Sequence, residues 1–252
     1  MISSPDLDAV GSLPPVDAVR AAWRTVHDLA AAADNGSDVL RSAGDAGLID
    51  VLIEIRRLRS AIGSLEAHAQ ATFDSSVRDE ALARGVPKKD AGKGIAEQVA
   101  LARGVSPHRA ANDITLAKGL TTELPRTLAL LTGGALSEHA ALNVARETVC
   151  LMTEDRALVD ERLAEKVAGA SPRRASNLAR AEAARVDPES VTARIRMAEK
   201  DRNVTLRPAP DAMVYLSGLL PVKDGVAAYA ALLKRADDIK ACLLYTSDAA
   251  DE

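Results

Sequence analysis

The chain has 252 residues, 47% hydrophobic but only 2% aromatic, so its core must be built from Ala, Leu, Val and Ile, and base stacking on rings is excluded as a main binding mode. Formal charge is −4 and unevenly spread: residues 1–50 hold eight Asp and three Arg, net −5, residues 51–241 are net +4, and the last eleven carry −3. Outside those eleven the only cysteine is Cys150, which excludes an intramolecular disulfide or a cysteine-built zinc site and points to a reducing, cytoplasmic setting.

Residues 1–14 have neither a basic region nor an apolar run and read as a flexible polar arm, not a secretory signal. No stretch approaches the roughly 18–20 apolar residues of a membrane span, so no membrane partner is expected. Pro15, at a permitted first-turn position, opens a helix in which Val16, Val19, Trp23, Val26, Ala30 and Ala33 recur at spacings of three and four. Asp34-Asn35-Gly36-Ser37 should end it. The next helix is the most regular: Leu48, Val51, Ile55, Leu58, Ile62, Leu65, Ala69 and Thr72 form a heptad seam. Either a dimerising coiled coil or a hairpin with the preceding helix would bury that seam. Gly63, about 1 kcal/mol worse than Ala in a helix, favours the hairpin.

A helix-turn-helix-like unit then occurs twice. Ala96-Glu97-Gln98-Val99-Ala100 leads to Gly104-Val105-Ser106-Pro107, and Ala164-Glu165-Lys166-Val167-Ala168 leads to Gly169-Ala170-Ser171-Pro172. In each, Gly supplies a left-handed residue to close one helix, Ser caps the next and Pro occupies its first turn. This is the geometry that DNA-binding helix-turn-helix units use. Between the units, Leu124 to Leu131 should be a short helix closed by Gly133-Gly134, and Ser137-Glu138 should start another running to about Cys150. Thr153 is expected to cap the helix entering the second unit, and Asp187-Pro188-Glu189 to start a further one.

Then the period changes to two. Val204-Thr205-Leu206 and Met213-Val214-Tyr215-Leu216, separated by Pro208-Ala209-Pro210-Asp211, predict a β-hairpin, after which Pro221 opens an amphipathic helix through Val226, Tyr229, Leu233 and Ala236. Residues 242–252 (CLLYTSDAADE) read as a non-native tail encoded by a transposase-type sequencing adapter, which leaves that helix incomplete. The expected architecture is mainly α: an arm at 1–14, a helical domain at 15–202 forming a multi-helix bundle with two helix-turn-helix-like units, a small β-hairpin and incomplete helix at 203–241, and the tail.

This order of parts resembles the actinobacterial thirteen-E-twelve repeat family, a domain of unknown function usually followed by an HNH endonuclease domain. The resemblance spans about residues 15–240. It is carried by IEIRRLRSAIGSLEAHA from Ile53, the Gly104-Val105-Ser106-Pro107 junction, LTGGALSEHA from Leu131, and PDAMVYLSGLL from Pro210 with the helix after it. It implies a module cut from a longer nuclease. An HNH centre needs His and Asn clustered around one divalent metal, and nothing here matches. The resemblance therefore assigns the metal to a domain beyond Ala241, and no catalytic residue, cofactor or metal ligand to this chain.

The residues agree. His27, His68, His108 and His139 lie 41, 40 and 31 positions apart, with no His-x-x-x-His spacing. Glu161 and Glu165 share a helix face but interleave with Arg162 and Lys166, a surface ion-pair pattern. The functional candidates follow the two Ser-Pro caps. Arg173, Asn177 and Arg180 share one face, with Arg174 beside them; Arg109, Asn112 and Lys118, with His108, are the weaker counterpart in the first unit, where Asp113 takes a position normally apolar. Arg can pair with guanine and Asn with adenine, and either can hold phosphate. The expectation is a DNA-binding or DNA-positioning module with double-stranded DNA as partner; the alternative is a protein-interaction or homo-oligomerisation scaffold built on the heptad seam.

Overall fold

A computed structural model describes residues 14–34 and 38–248, with side chains as far as 240. Most of the expected arm (1–13) and the final residues of the expected tail (249–252) lie outside the described residues. Among those described, the order is α1 (Pro15–Asp34), α2 (Gly44–Ala83), α3 (Ile95–Arg103), α4 (Pro107–Glu123), α5 (Pro125–Thr132), α6 (Glu138–Thr148), α7 (Thr153–Val167), α8 (Pro172–Val186), α9 (Pro188–Ala198), β1 (Asn203–Pro208), β2 (Val214–Leu219) and α10 (Val222–Asp248). The chain is mainly α, as its periodicity predicts, with one small antiparallel sheet near the C-terminal end.

Local chemistry sets the helix boundaries. Proline is the first residue of α1, α4, α5, α8 and α9, where its missing N–H leaves no intrahelical bond unmade. Ser106, Ser137 and Ser171 accept hydrogen bonds from the backbone N–H of Arg109, Ala140 and Arg174 at 3.2, 3.4 and 3.4 Å. Asp187 likewise accepts from Glu189 and Ser190. Gly104 and Gly169 take φ of 66° and 70°, the left-handed turn that frees each chain to start its next helix. Both predicted junctions, a left-handed glycine followed by a Ser-Pro helix start, therefore form. In the second, α7 already ends at Val167, so the turn takes in Ala168 as well. Thr153 does not cap α7: Met152 holds the capping position and Thr153 is the first helical residue.

The main core is built by α4 to α8. Leu120, Leu124, Leu131, Leu136, Val144, Val159, Leu163 and Val167 are fully buried there. Helix α8 lies against α6 and α7 through Ala175, Ala179 and Ala183. Small side chains at a spacing of four make the seating face that lets the helix backbones approach. A smaller cluster, Ile95, Val99, Ala100, Ala110 and Ile114, joins α3 to α4 against Phe73 and Val77 of α2.

Helix α2 is seated in an unexpected way. The residues it buries are Ser60, Gly63, Ser64, Ala67, Gln70, Asp74 and Ala81, and the heptad seam faces away from the core. Gly63 belongs to the buried face, not the seam: a Cβ there would meet Glu138 Cγ at 2.9 Å. The predicted hairpin of α1 on α2 does not form. No residue of α1 is buried, and Val16, Val19, Trp23, Val26 and Leu29 are all exposed.

The β-hairpin pairs Asn203 with Leu219 through to Pro208 with Val214. Its turn is Pro210-Asp211-Ala212-Met213, closed by Met213 N–H donating to the Pro210 carbonyl at 3.2 Å. Asp211 and Ala212 have φ of 59° and 56°, as a type I′ turn requires at both central positions.

Candidate nucleic-acid interface

The two helix-turn-helix-like units differ in what their polar side chains are doing. In the first, every predicted contact residue has a partner. Arg109 lies 3.5 Å from Asp113, Asn112 Nδ2 is 3.2 Å from His108 Nε2, and Lys118 donates to Asp74 at 2.6 Å. Asp74 is buried; burial would raise its carboxyl, but the hydrogen bonds and charges of Lys118 and Arg78 outweigh that and hold it below the usual range. Asp113, at the position expected to be apolar, is half-buried and accepts from Arg103 at 2.8 Å, while Arg103 also pairs with Glu66. Burial alone would lower the Arg103 guanidinium, and the two carboxylates instead raise it. At this one position an ion network thus stands beside the apolar cluster that joins the paired helices.

The second unit is more open. Arg173, Arg174 and Asn177 stand exposed at the start of α8, and none has a side-chain hydrogen bond or ion pair among the described residues. Arg180, the fourth predicted member of this face, is committed elsewhere: Nη2 and Nε reach Glu147 at 2.8 and 3.2 Å. Glu147 is buried and also accepts from Ser176 and Arg194. Burial works to raise its carboxyl, and Arg180, Ser176 and Arg194 together bring it below the usual range. Two residues that sequence reasoning missed complete the surface. Asn143 on α6 donates to the Pro172 carbonyl at 3.1 Å, and exposed Arg146 donates to Asn143 at 2.9 Å. Only the packing of α6 on α8 brings them there.

Two carboxylates of α7, Asp160 and Glu161, are tied to another helix. Asp160 is buried and accepts from the backbone N–H of Arg126 and Thr127 and from the Thr127 hydroxyl, at 2.7, 2.9 and 2.6 Å. It caps α5 from a different helix, since Leu124 offers no side-chain cap of its own. Glu161 pairs with Arg126 and Lys166 with buried Glu182; both partners lie on other helices, not along α7. The Lys166 hydrogen bond holds the Glu182 carboxyl low despite burial. A cavity between α2 and α4, lined by Gly63, Gln70, Arg103, Asp113 and Leu120, measures about 10 Å³, room for one water and no substrate. Among the described residues, no group of three His, Cys, Asp or Glu is placed to hold a metal, and no helix is long and apolar enough to cross a membrane.

The family described as Domain of unknown function (DUF222) matches residues 57–248. The chain belongs to this family. The match takes in the last part of α2 and everything from α3 through α10, including the whole candidate surface, and leaves out α1. No curated protein and no solved structure shows significant similarity to the chain.

Proposed function

We propose that this chain is the non-catalytic helical module of a longer, cytoplasmic HNH endonuclease-like protein, and that it holds duplex DNA at the start of α8. One observation carries the DNA reading. Arg173, Arg174 and Asn177 are exposed and unengaged among the described residues, at the electropositive end of a 15-residue helix. Arginines held in ion pairs elsewhere are already neutralised; these two are available for phosphate. Arg146 lies beside them and adds to the same field.

The binding this supports is electrostatic, with phosphate contacts setting position and exposed Asn177 available to a base edge. Affinity is expected to be micromolar or weaker and to fall with salt by a factor set by the number of phosphates neutralised. Titration of a labelled duplex across a salt series tests it. The Arg173→Ala/Arg174→Ala double variant should lower the slope of log K against log salt by about 2, one per lost phosphate contact, with its helical spectrum unchanged. No retention of duplex at low salt, or an unaltered slope in the double variant, rejects the DNA reading. The nuclease association rests on the order of parts described above. It is tested separately by reading the parent gene downstream for clustered His and Asn codons.

A further inference from the structure

We infer that two copies of this chain associate through the outward seam of α2 as a parallel, in-register coiled coil centred on Ile55 to Leu65. This is independent of the DNA reading. The core already holds α2 by its small and polar side, from Ser60 to Asp74. On the opposite side Ile55 and Leu58 are each 38% exposed, Ile62 54% and Leu65 51%. Among the described residues no element of the same chain covers them, and the apolar stripe of α1 is exposed too.

The seam's own chemistry selects a second copy as its occupant. Numbered as heptads, Ile55 and Ile62 occupy the first core position and Leu58 and Leu65 the second. Isoleucine at the first with leucine at the second favours two parallel strands. Charge agrees with packing. Glu54, which within the chain pairs with exposed Arg57 at 2.6 Å and would exchange that surface partner, and Arg59 flank the seam five residues apart, the offset at which a flanking residue of one strand meets its counterpart on a parallel partner. Two symmetric Glu54–Arg59 pairs result, whereas an antiparallel pairing sets like flanking positions against each other. Arg59 is exposed and has no ion pair among the described residues. The coil closes after Leu65, where the seam thins to Ala69 and Thr72.

Sedimentation of the full chain at increasing concentration, with four sets of variants, tests this. Wild type is expected to pass from monomer to dimer in the micromolar range. Ile62→Lys should remain monomeric with an unchanged helical spectrum, its site being solvent-facing. Glu54→Arg alone and Arg59→Glu alone should each weaken self-association about tenfold, and mixing the two should restore it as a heterodimer. Leu58→Cys, with Cys150 and Cys242 replaced by Ser, should form an interchain disulfide on oxidation. Concentration-independent wild-type monomers, as expected if α1 folds back over the seam, overturn the proposal. So do a dimer indifferent to Ile62→Lys, charge variants that do not rescue one another, and a Leu58→Cys chain that fails to cross-link.

Discussion

Burying a carboxylate is costly unless its oxygens find donors, and Asp74, Glu147, Asp160 and Glu182 are buried with theirs found. Asp160 is the most stringent case, because its donors include two backbone N–H groups with no other acceptor at the start of α5. Asp160→Ala is therefore expected to destabilise the protein by about 3 kcal/mol in chemical denaturation, and Asp160→Asn by less, one oxygen remaining to accept. Asp74, Glu147 and Glu182 ionise more readily folded than unfolded. Their stabilisation is thus complete above the unfolded carboxylate values of about 4 and is lost as pH falls through the lower, folded ones. Urea midpoints should hold steady from neutral pH down to about 5 and drop below about 4, with a shallower drop in Glu147→Gln. The ties that run between helices were not legible in the sequence. Glu147 meets Arg180 and Arg194 33 and 47 positions away, and Asp74 meets Lys118 at 44. Local charge patterning along α7 instead suggested an ion ladder that does not exist.

At the scale of elements, caps and breakers were readable because they act within four residues of themselves. The Ser-Pro and Asp-Pro starts, the left-handed glycines and the period-two strands all appear where the residues place them. The facing of α2 was not readable. A stripe of Leu and Ile is the usual core signature, yet here the small stripe is seated and the large one exposed, because Gly63 and its neighbours admit α6 at close range. The hairpin turn offers an independent check. Ala212 occupies a left-handed position that strains a side chain and suits glycine. Ala212→Gly should stabilise the hairpin by about 1 kcal/mol. Slower amide exchange in β1 and β2, with the core amides unaffected, would show it; unchanged exchange would mean the turn carries no such strain.

For the whole molecule, stability is concentrated from Ser60 to Ala183, the first and last buried among the described residues. Helix α1 contributes no buried residue. Deleting residues 1–34 is accordingly expected to shift unfolding free energy by less than about 0.5 kcal/mol, since surface changes away from packed groups fall within that range. A larger loss would place α1 on the core. The arrangement also has a mechanical consequence. Helix α2 begins at Gly44 but first enters the core at Ser60, so about 24 Å of regular helix precede its anchorage at 1.5 Å per residue. That segment acts as a strut of fixed length. Whatever is attached at its free end is held at a distance set by residue count, and removing seven residues would shorten the reach by about 10 Å while keeping its bearing nearly unchanged.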